Sequence, residues 1–316
     1  MDQSNWAVIR ISGPDRVKSL NNMCTQDIKR MIPGQSSETF ITNLQGKTIG
    51  FCTVHMFQDE ILIRSNPESL EQVLKALDKY AIFDDSKIEE ITNSLDQLAL
   101  IGDLAINPIF KFLKIESHET LKSDGADFSP IYSFPDPSTG LSGIVVMGKK
   151  GLNQKIVSLI ESQATALSFT EYNRLRVLNT WPNYNQDIRP DNLPQEIDRD
   201  KTAIHFNKGC YLGQETVARL DALGHVNRIL MGFIWEPFSQ SITPESAINQ
   251  VIVNQMGQQV GEIRSAIIGP KAGQILGLAM IRIKSLELSP YISEDPRGSL
   301  NFMKLEEFRT QFQSVE

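Results

Sequence analysis

The sequence predicts an α+β fold in which mixed helices and strands fill residues 1–226 and a small antiparallel β-barrel follows over 227–316. Three observations predict it. The 316 residues exceed one ordinary small domain and suggest two or three packed units. Through residue 178 the apolar positions switch between period-two and helical spacing. Beyond Asn227 short β-type runs appear, punctuated by glycines, as in a small barrel or sandwich.

Taken in order, residues 7–11 alternate as a strand, and Ser12-Gly13-Pro14-Asp15 turns into a helix with Val17 and Leu20 on one face. Residues 40–44 and 49–57 read as strands around the polar turn Gln45-Gly46-Lys47, with another strand at 61–63. Leu70, Val73, Leu74 and Leu77 mark an amphipathic helix that ends at residues 80–83. A strand restarts at 98–101, and residues 105–137, rich in Pro, Ser and Asp, predict an irregular connection with short elements. A strand at 144–147 precedes a helix over 151–164, apolar at Ile156, Leu159 and Ile160, and a second helix over 170–178. Residues 179–207 are polar, with several prolines and few apolar anchors; so long a stretch without regular structure inside a domain is usually functional. The β-type runs that follow are 230–235, 251–253, 259–264 and 275–283.

Composition narrows the function. Hydrophobic residues at 41% and charged residues at 22% give a soluble globular balance. A net charge of −7 argues against direct nucleic-acid binding, which needs clustered Lys and Arg on phosphates. No run approaches the ~20 apolar residues of a membrane span, and Met1-Asp2-Gln3-Ser4-Asn5-Trp6 has no signal-peptide character. Cys24, Cys52 and Cys210 are odd in number and far apart, without Cys-x-x-Cys or Cys/His ligand spacing. That argues against a disulfide framework and indicates neither a zinc site nor an iron–sulfur cluster of the chain's own, and it suits a reducing, cytoplasmic compartment. His55, His118, His205 and His225 show no metal-ligand spacing, so no metal site is expected.

The segment that carries most information runs from Lys208 to Arg219, KGCYLGQETVAR. Two glycines bracket a cysteine and an aromatic, allowing a tight, exposed backbone, and Gln214-Glu215 opens a helix. A thiol beside a lysine and near a helix N-terminus gains thiolate character, which makes Cys210 the candidate functional thiol with Lys208 as its helper. The plain alternative is a small buried hydrophobe. Cys24 and Cys52 sit among apolar positions and read that way. A relay between Cys210 and the nearby His205 is also conceivable.

This segment resembles the K-G-C-aromatic-x-G-Q-E signature of the YgfZ-type folate-binding proteins, relatives of the aminomethyltransferases in the GcvT-like superfamily. Trp6-Ala7-Val8-Ile9, Cys24-Thr25-Gln26-Asp27, Gln45-Gly46-Lys47, Lys79-Tyr80-Ala81-Ile82-Phe83, Leu193-Pro194-Gln195-Glu196 and Val260-Gly261-Glu262-Ile263-Arg264-Ser265 resemble further parts of that family. The resemblance implies a GcvT-like folate-binding fold around a central cavity. It would comprise two interleaved α+β subdomains, 1–95 with 168–226 and 96–167, and a C-terminal antiparallel β-barrel over 227–316.

It also implies tetrahydrofolate, or a one-carbon derivative, as cofactor. Trp6 and Tyr172 line up with pterin contacts, Asp187 and Glu196 with carboxylates that meet pterin N–H groups, and Arg228 with an arginine that balances the glutamate tail. Each has a plain reading too, as a packed aromatic, a solvated loop charge or a surface arginine. The sequence departs from the aminomethyltransferases at two places. Their Gly-x-Pro-x-x-Gly-x-Glu run stands here as Thr180-Trp181-Pro182-Asn183-Tyr184-Asn185-Gln186-Asp187, without either glycine. The loop that holds their catalytic aspartate reads Ser65-Asn66-Pro67-Glu68-Ser69, without it.

The function implied is a folate-binding accessory protein that supports assembly or repair of iron–sulfur clusters in enzymes, including those that thiolate or methylthiolate tRNA. Its partners would be those client enzymes and cluster-assembly proteins. The alternative is a tetrahydrofolate-dependent aminomethyltransferase or demethylase, and a third reading is a structural module with a vestigial cavity.

Overall fold

A computed structural model describes residues 1–113, 120–123, 127–224, 226–239, 241–292, 295 and 298–313. His118 and His225 lie outside the described residues. The chain forms two compact units. The first is Met1–Phe169 with Asp200–Thr216, and the second is Thr170–Arg199 with Val217–Glu316.

The first unit is built on two antiparallel sheets. Strands β1 (Ala7–Ser12), β2 (Ser36–Thr42), β3 (Thr48–Met56), β4 (Glu60–Ser65) and β5 (Lys87–Glu90) pair in the order β2-β3-β4-β1-β5. Because side chains alternate along a strand, Ile9, Ile11, Ile41, Val54, Ile61 and Ile63 share one face. There they meet Leu20 of helix α1 (Arg16–Asn21) and Val73 and Leu77 of α2 (Leu70–Tyr80). The second sheet joins β6 (Leu95–Ile101), β7 (Leu121–Ser123), β8 (Ile131–Pro135) and β9 (Gly143–Lys149) in the order β6-β9-β8-β7. Its outer face is covered by α3 (Asp103–Leu113) and α4 (Leu152–Ile160). Its inner face sets Tyr132, Phe134, Val145 and Met147 against Val8 and Leu62 of the first sheet. The unit is thus layered helix, sheet, sheet, helix.

Helix α3 lies within the stretch expected to be irregular. Pro108 inside it suggests a break, since proline removes a helical hydrogen bond. Ala105, Ile106 and Ile109 nevertheless fall on one buried face, and that tertiary contact outweighs the proline.

In the second unit β10 (Arg228–Glu236), β11 (Val251–Val253), β12 (Gln259–Ile268), β13 (Ile275–Arg282), β14 (Tyr291–Ile292) and β15 (Ser299–Met303) form an antiparallel sheet, ordered β14-β11-β12-β13-β10-β15. The edge strands approach each other, so the sheet nearly closes into a barrel. Phe233, Trp235, Ile252, Ile263, Ala279 and Ile281 fill it. The remaining helices are α5 (Phe169–Leu178), α6 (Asp200–Ala203), α7 (Gln214–Leu223), α8 (Pro244–Ala247) and α9 (Leu305–Gln313). Helix α9 lies so close to β10 that a side chain at Gly232 would collide with Phe308. Among the described residues no helix is long and apolar enough to cross a membrane.

Candidate functional site

The loop that carries the KGCY segment is tethered on both sides of Gly209 and Cys210. The Lys208 ammonium is buried and donates to the carbonyls of Asn21 (2.7 Å), Cys24 (2.8 Å) and Gln26 (2.6 Å). Those three bonds use all three of its protons. Burial lowers its pKa from the ordinary 10.5, against the opposing pull of Cys24 and Asp27. Tyr211 is buried, with its ring 5.0 Å from the Lys208 nitrogen. Leu212 donates its N–H to Asn22 (2.9 Å) and accepts from the Thr42 hydroxyl (2.5 Å). Gly213 has φ +80°, and a Cβ there would strike the carbonyl oxygen of Asn43, so the loop and the turn at residues 43–47 interlock. Helix α7 begins at the next residue.

Between these anchors Cys210 is exposed, whereas Cys24 and Cys52 are buried. Burial pushes the Cys52 thiol up to about 12 and raises that of Cys24, so neither ionises near neutral pH. The sequence placed Lys208 beside the thiol as a helper; the structure turns its charge toward backbone carbonyls, where it holds the loop. His205 donates its backbone N–H to the Thr25 carbonyl (2.9 Å), with its ring Nε2 3.5 Å from Arg30. It lines a cavity with Gln26, Asp27 and Arg30 of which Cys210 is not a lining residue.

A cavity of about 370 Å³ opens on the first unit, lined among others by Ser36, Glu38, Thr53, His55, Pro135 and Thr202. The register explains the gathering: Ser36 stands opposite His55 and Glu38 opposite Thr53 on adjacent strands, so these four side chains share a face. Glu38 accepts a bond from Thr202 (3.0 Å). His55 stacks on Phe134 at 3.7 Å, with Nδ1 2.7 Å from the Ser36 hydroxyl and Nε2 3.1 Å from that of Thr53. Burial, reinforced by Arg64, lowers its pKa well below 6.5 and keeps the ring neutral.

Trp6 is half-buried, with the Arg64 guanidinium 4.3 Å over its ring, and does not line this cavity. Arg64 is itself buried between Gln97 and Gln3. In the loop after β4, Asn66 caps the short turn Pro67–Ser69 by accepting the Glu68 N–H (3.0 Å), and Glu68 is exposed.

The other sequence-predicted residues all belong to the second unit. Tyr172 is buried on α5. Asp187 is fully buried and accepts from Arg176 (2.8 Å), the Ser265 hydroxyl (2.5 Å) and the Asn183 N–H (2.8 Å). Glu196 accepts from Arg228 (2.8 Å), the Asn192 amide (2.8 Å) and the Leu193 N–H (3.0 Å). Arg228 also reaches Asp191 (2.7 Å). Burial opposes its charge, but the two carboxylates outweigh that and raise its pKa. The structure therefore brings Glu196 and Arg228 together and sets Asp187 apart with Arg176. These bonds explain how residues 179–199 stay ordered with little regular structure: the buried carboxylates Asp187 and Glu196 are each held by several donors. Sequence reasoning missed Arg176, Arg64 and His55, each of which has at least one partner from a distant segment, Ser265, Gln97 and Phe134 respectively. A charge or imidazole flanked by apolar neighbours was the available signal. Among the described residues no group of three His, Cys, Asp or Glu side chains is arranged to hold a metal ion.

The GCVT N-terminal domain family matches residues 1–122. A putative chloroplastic transferase of Arabidopsis thaliana is 24% identical over 309 residues, covering 94% of this chain and 69% of that protein. The tRNA-modifying protein YgfZ of Hamiltonella defensa is 26% identical over 226 residues, covering 70% of this chain and 65% of its own. The chain thus spans about two thirds of the length of these curated relatives. The crystal structure of the glycine cleavage system aminomethyltransferase T from Bartonella henselae superposes with a TM-score of 0.82 at 14% identity. That superposition covers 97% of this chain and 85% of that one, and it shows a shared fold.

Proposed function

Since the chain is a GcvT-like protein of the YgfZ type, we propose that it binds a reduced folate and acts through Cys210 as an accessory factor for iron–sulfur enzymes, including those that modify tRNA. One observation carries the proposal: the exposed thiol stands on a loop fastened on both sides by buried bonds. A tethered backbone presents its sulfur without the entropy loss of ordering a free loop when a partner arrives. Lys208 serves this display through the carbonyls it holds.

The first-unit cavity suits the cofactor. Its volume of about 370 Å³ lies within the range of small-molecule sites, and its polar edge combines a carboxylate, Glu38, with the hydroxyls of Ser36, Thr53 and Thr202. That edge matches the N–H donors and ring nitrogens of a pterin. Pro135 and Pro137 add apolar surface for the ring. When bound there, tetrahydrofolate would supply a carrier for one-carbon units. Glu38 would orient it and neutral His55 would brace the hydroxyls around it. Asp187, Glu196 and Arg228 support the reading as the polar framework of the second unit. Aminomethyl transfer is less well supported, because the loop at Asn66 holds no aspartate and Glu68 is turned to solvent.

Tetrahydrofolate titration followed by tryptophan fluorescence is expected to saturate, and Glu38→Gln to weaken binding about tenfold. In a bacterial strain lacking its own YgfZ relative, the wild-type chain should restore tRNA methylthiolation and Cys210→Ser should not. Full rescue by Cys210→Ser would remove the thiol from the proposal, and a flat titration would remove the folate. Turnover of methylene-tetrahydrofolate with an amine acceptor would make the chain an enzyme instead.

A further inference from the structure

A strand that gains one residue re-aims the side chains around it. On β12 the register against β13 slips between Ile263 and Ser265, which leaves Arg264 as the extra residue. Ile263 enters the barrel core and Ser265 bonds Asp187. Arg264 is only 5% exposed, yet its Nε and Nη1 find no hydrogen-bond acceptor among the described residues. The carboxylate beside it, Glu262, lies 3.9 Å from Nη1, beyond hydrogen-bond reach. Glu262 is already held by Arg189 through contacts of 2.5 and 3.2 Å. A buried guanidinium without an acceptor is costly and calls for an anion.

Arg264 lines a pocket of about 240 Å³ with Arg189, Asp191, Arg228, Glu262 and Arg282. Four arginines there meet three carboxylates, Asp191 and Glu262 of the lining and Glu196 bonded to Arg228, an excess of one positive charge. Arg228 and Arg282 stand directly opposite each other on β10 and β13. Like charges in that position are unfavourable unless something negative joins them. Arg228 is matched by Glu196 and Asp191, and Arg189 by Glu262. Among the described residues Arg282 has no carboxylate partner and Arg264 has none within hydrogen-bond reach, so these two guanidiniums are the ones left without a close anion.

We propose that this pocket binds a phosphate group, as free phosphate or a phosphate monoester, with Arg264 and Arg282 as its principal ligands. A phosphate carries the negative charge these two guanidiniums lack, and its tetrahedral oxygens can accept from two guanidinium forks at once. The site lies wholly in the second unit, and its two principal ligands, Arg264 and Arg282, are not among the residues of the folate reading.

Isothermal titration of the full chain with inorganic phosphate at low ionic strength tests it, with thermal unfolding alongside. Saturable binding is expected, with an unfolding midpoint that rises with phosphate concentration. Arg264→Met should weaken binding tenfold or more, to about a hundredfold. In phosphate-free buffer it should raise the midpoint, because it removes a buried, unsatisfied charge. Arg282→Gln, at an exposed position, should weaken binding a few-fold and leave the phosphate-free midpoint in place. Binding of glycerol phosphate tighter than phosphate assigns the monoester, and equal binding assigns the free ion; both support the site. Absence of saturation in the wild-type chain would overturn it, as would full affinity in both variants. Glutarate binding as tightly as phosphate would overturn the phosphate assignment in favour of a dicarboxylate.

Discussion

His55 sits between the ring of Phe134 and the hydroxyls of Ser36 and Thr53, and that position sets how stability varies with pH. Its folded pKa is far below the unfolded value of about 6.5. Below that pH the unfolded chain takes up a proton that the folded chain refuses, so stability falls as pH falls. The slope from this group reaches at most about 1.4 kcal/mol per pH unit, and above pH ~6.5 the contribution is constant. Urea unfolding from about pH 7 to 5 should show it, and His55→Gln should remove it. An unchanged slope in the variant would assign the effect elsewhere. Lys208 gives a second residue-scale outcome. Lys208→Met leaves three loop carbonyls without their donor, and chemical denaturation should register a loss of about 2–4 kcal/mol. At this scale the sequence was informative where local flanks decide the environment. Polar neighbours distinguished Cys210 from Cys24 and Cys52. It was silent on Arg264, whose side-chain setting depends on a strand bulge and pocket partners far along the chain.

Elements obey local rules until a neighbour intervenes. Gly213→Ala combines a strained φ with a backbone collision at Asn43 and should lower stability by about 1–3 kcal/mol. Gly209 is the control: a Cβ there meets open space, and Gly209→Ala should stay within about 0.5 kcal/mol in the same denaturant assay. Equal losses would mean that the loop and the 43–47 turn do not interlock. Strands β1, β3, β4, β9 and β10 were legible because alternation or long apolar runs survive in them. β5 reads Lys-Ile-Glu-Glu and β14 is two residues long, so neither carries enough period to be seen. Helix α3 was hidden by its proline, and its buried face became visible only through packing.

At the scale of the molecule, the composition change near residue 227 was visible, but membership of the compact units was not. Residues 170–199 count with the C-terminal sheet, where Arg176 bonds Ser265 and Arg189 bonds Glu262. A chain ended after residue 226 therefore loses those partners. Trypsin should cut it quickly between Arg174 and Arg199, while the full chain resists; equal resistance would show that the segment is held without them. The burial of Cys24 and Cys52 has a chemical corollary for the whole surface. If the third sulfur is oxidised to a sulfenic acid, the folded chain offers no accessible second thiol to resolve it. Reduction must come from outside, as a mixed disulfide with glutathione or with another protein. Redox traffic through this molecule is then intermolecular by construction.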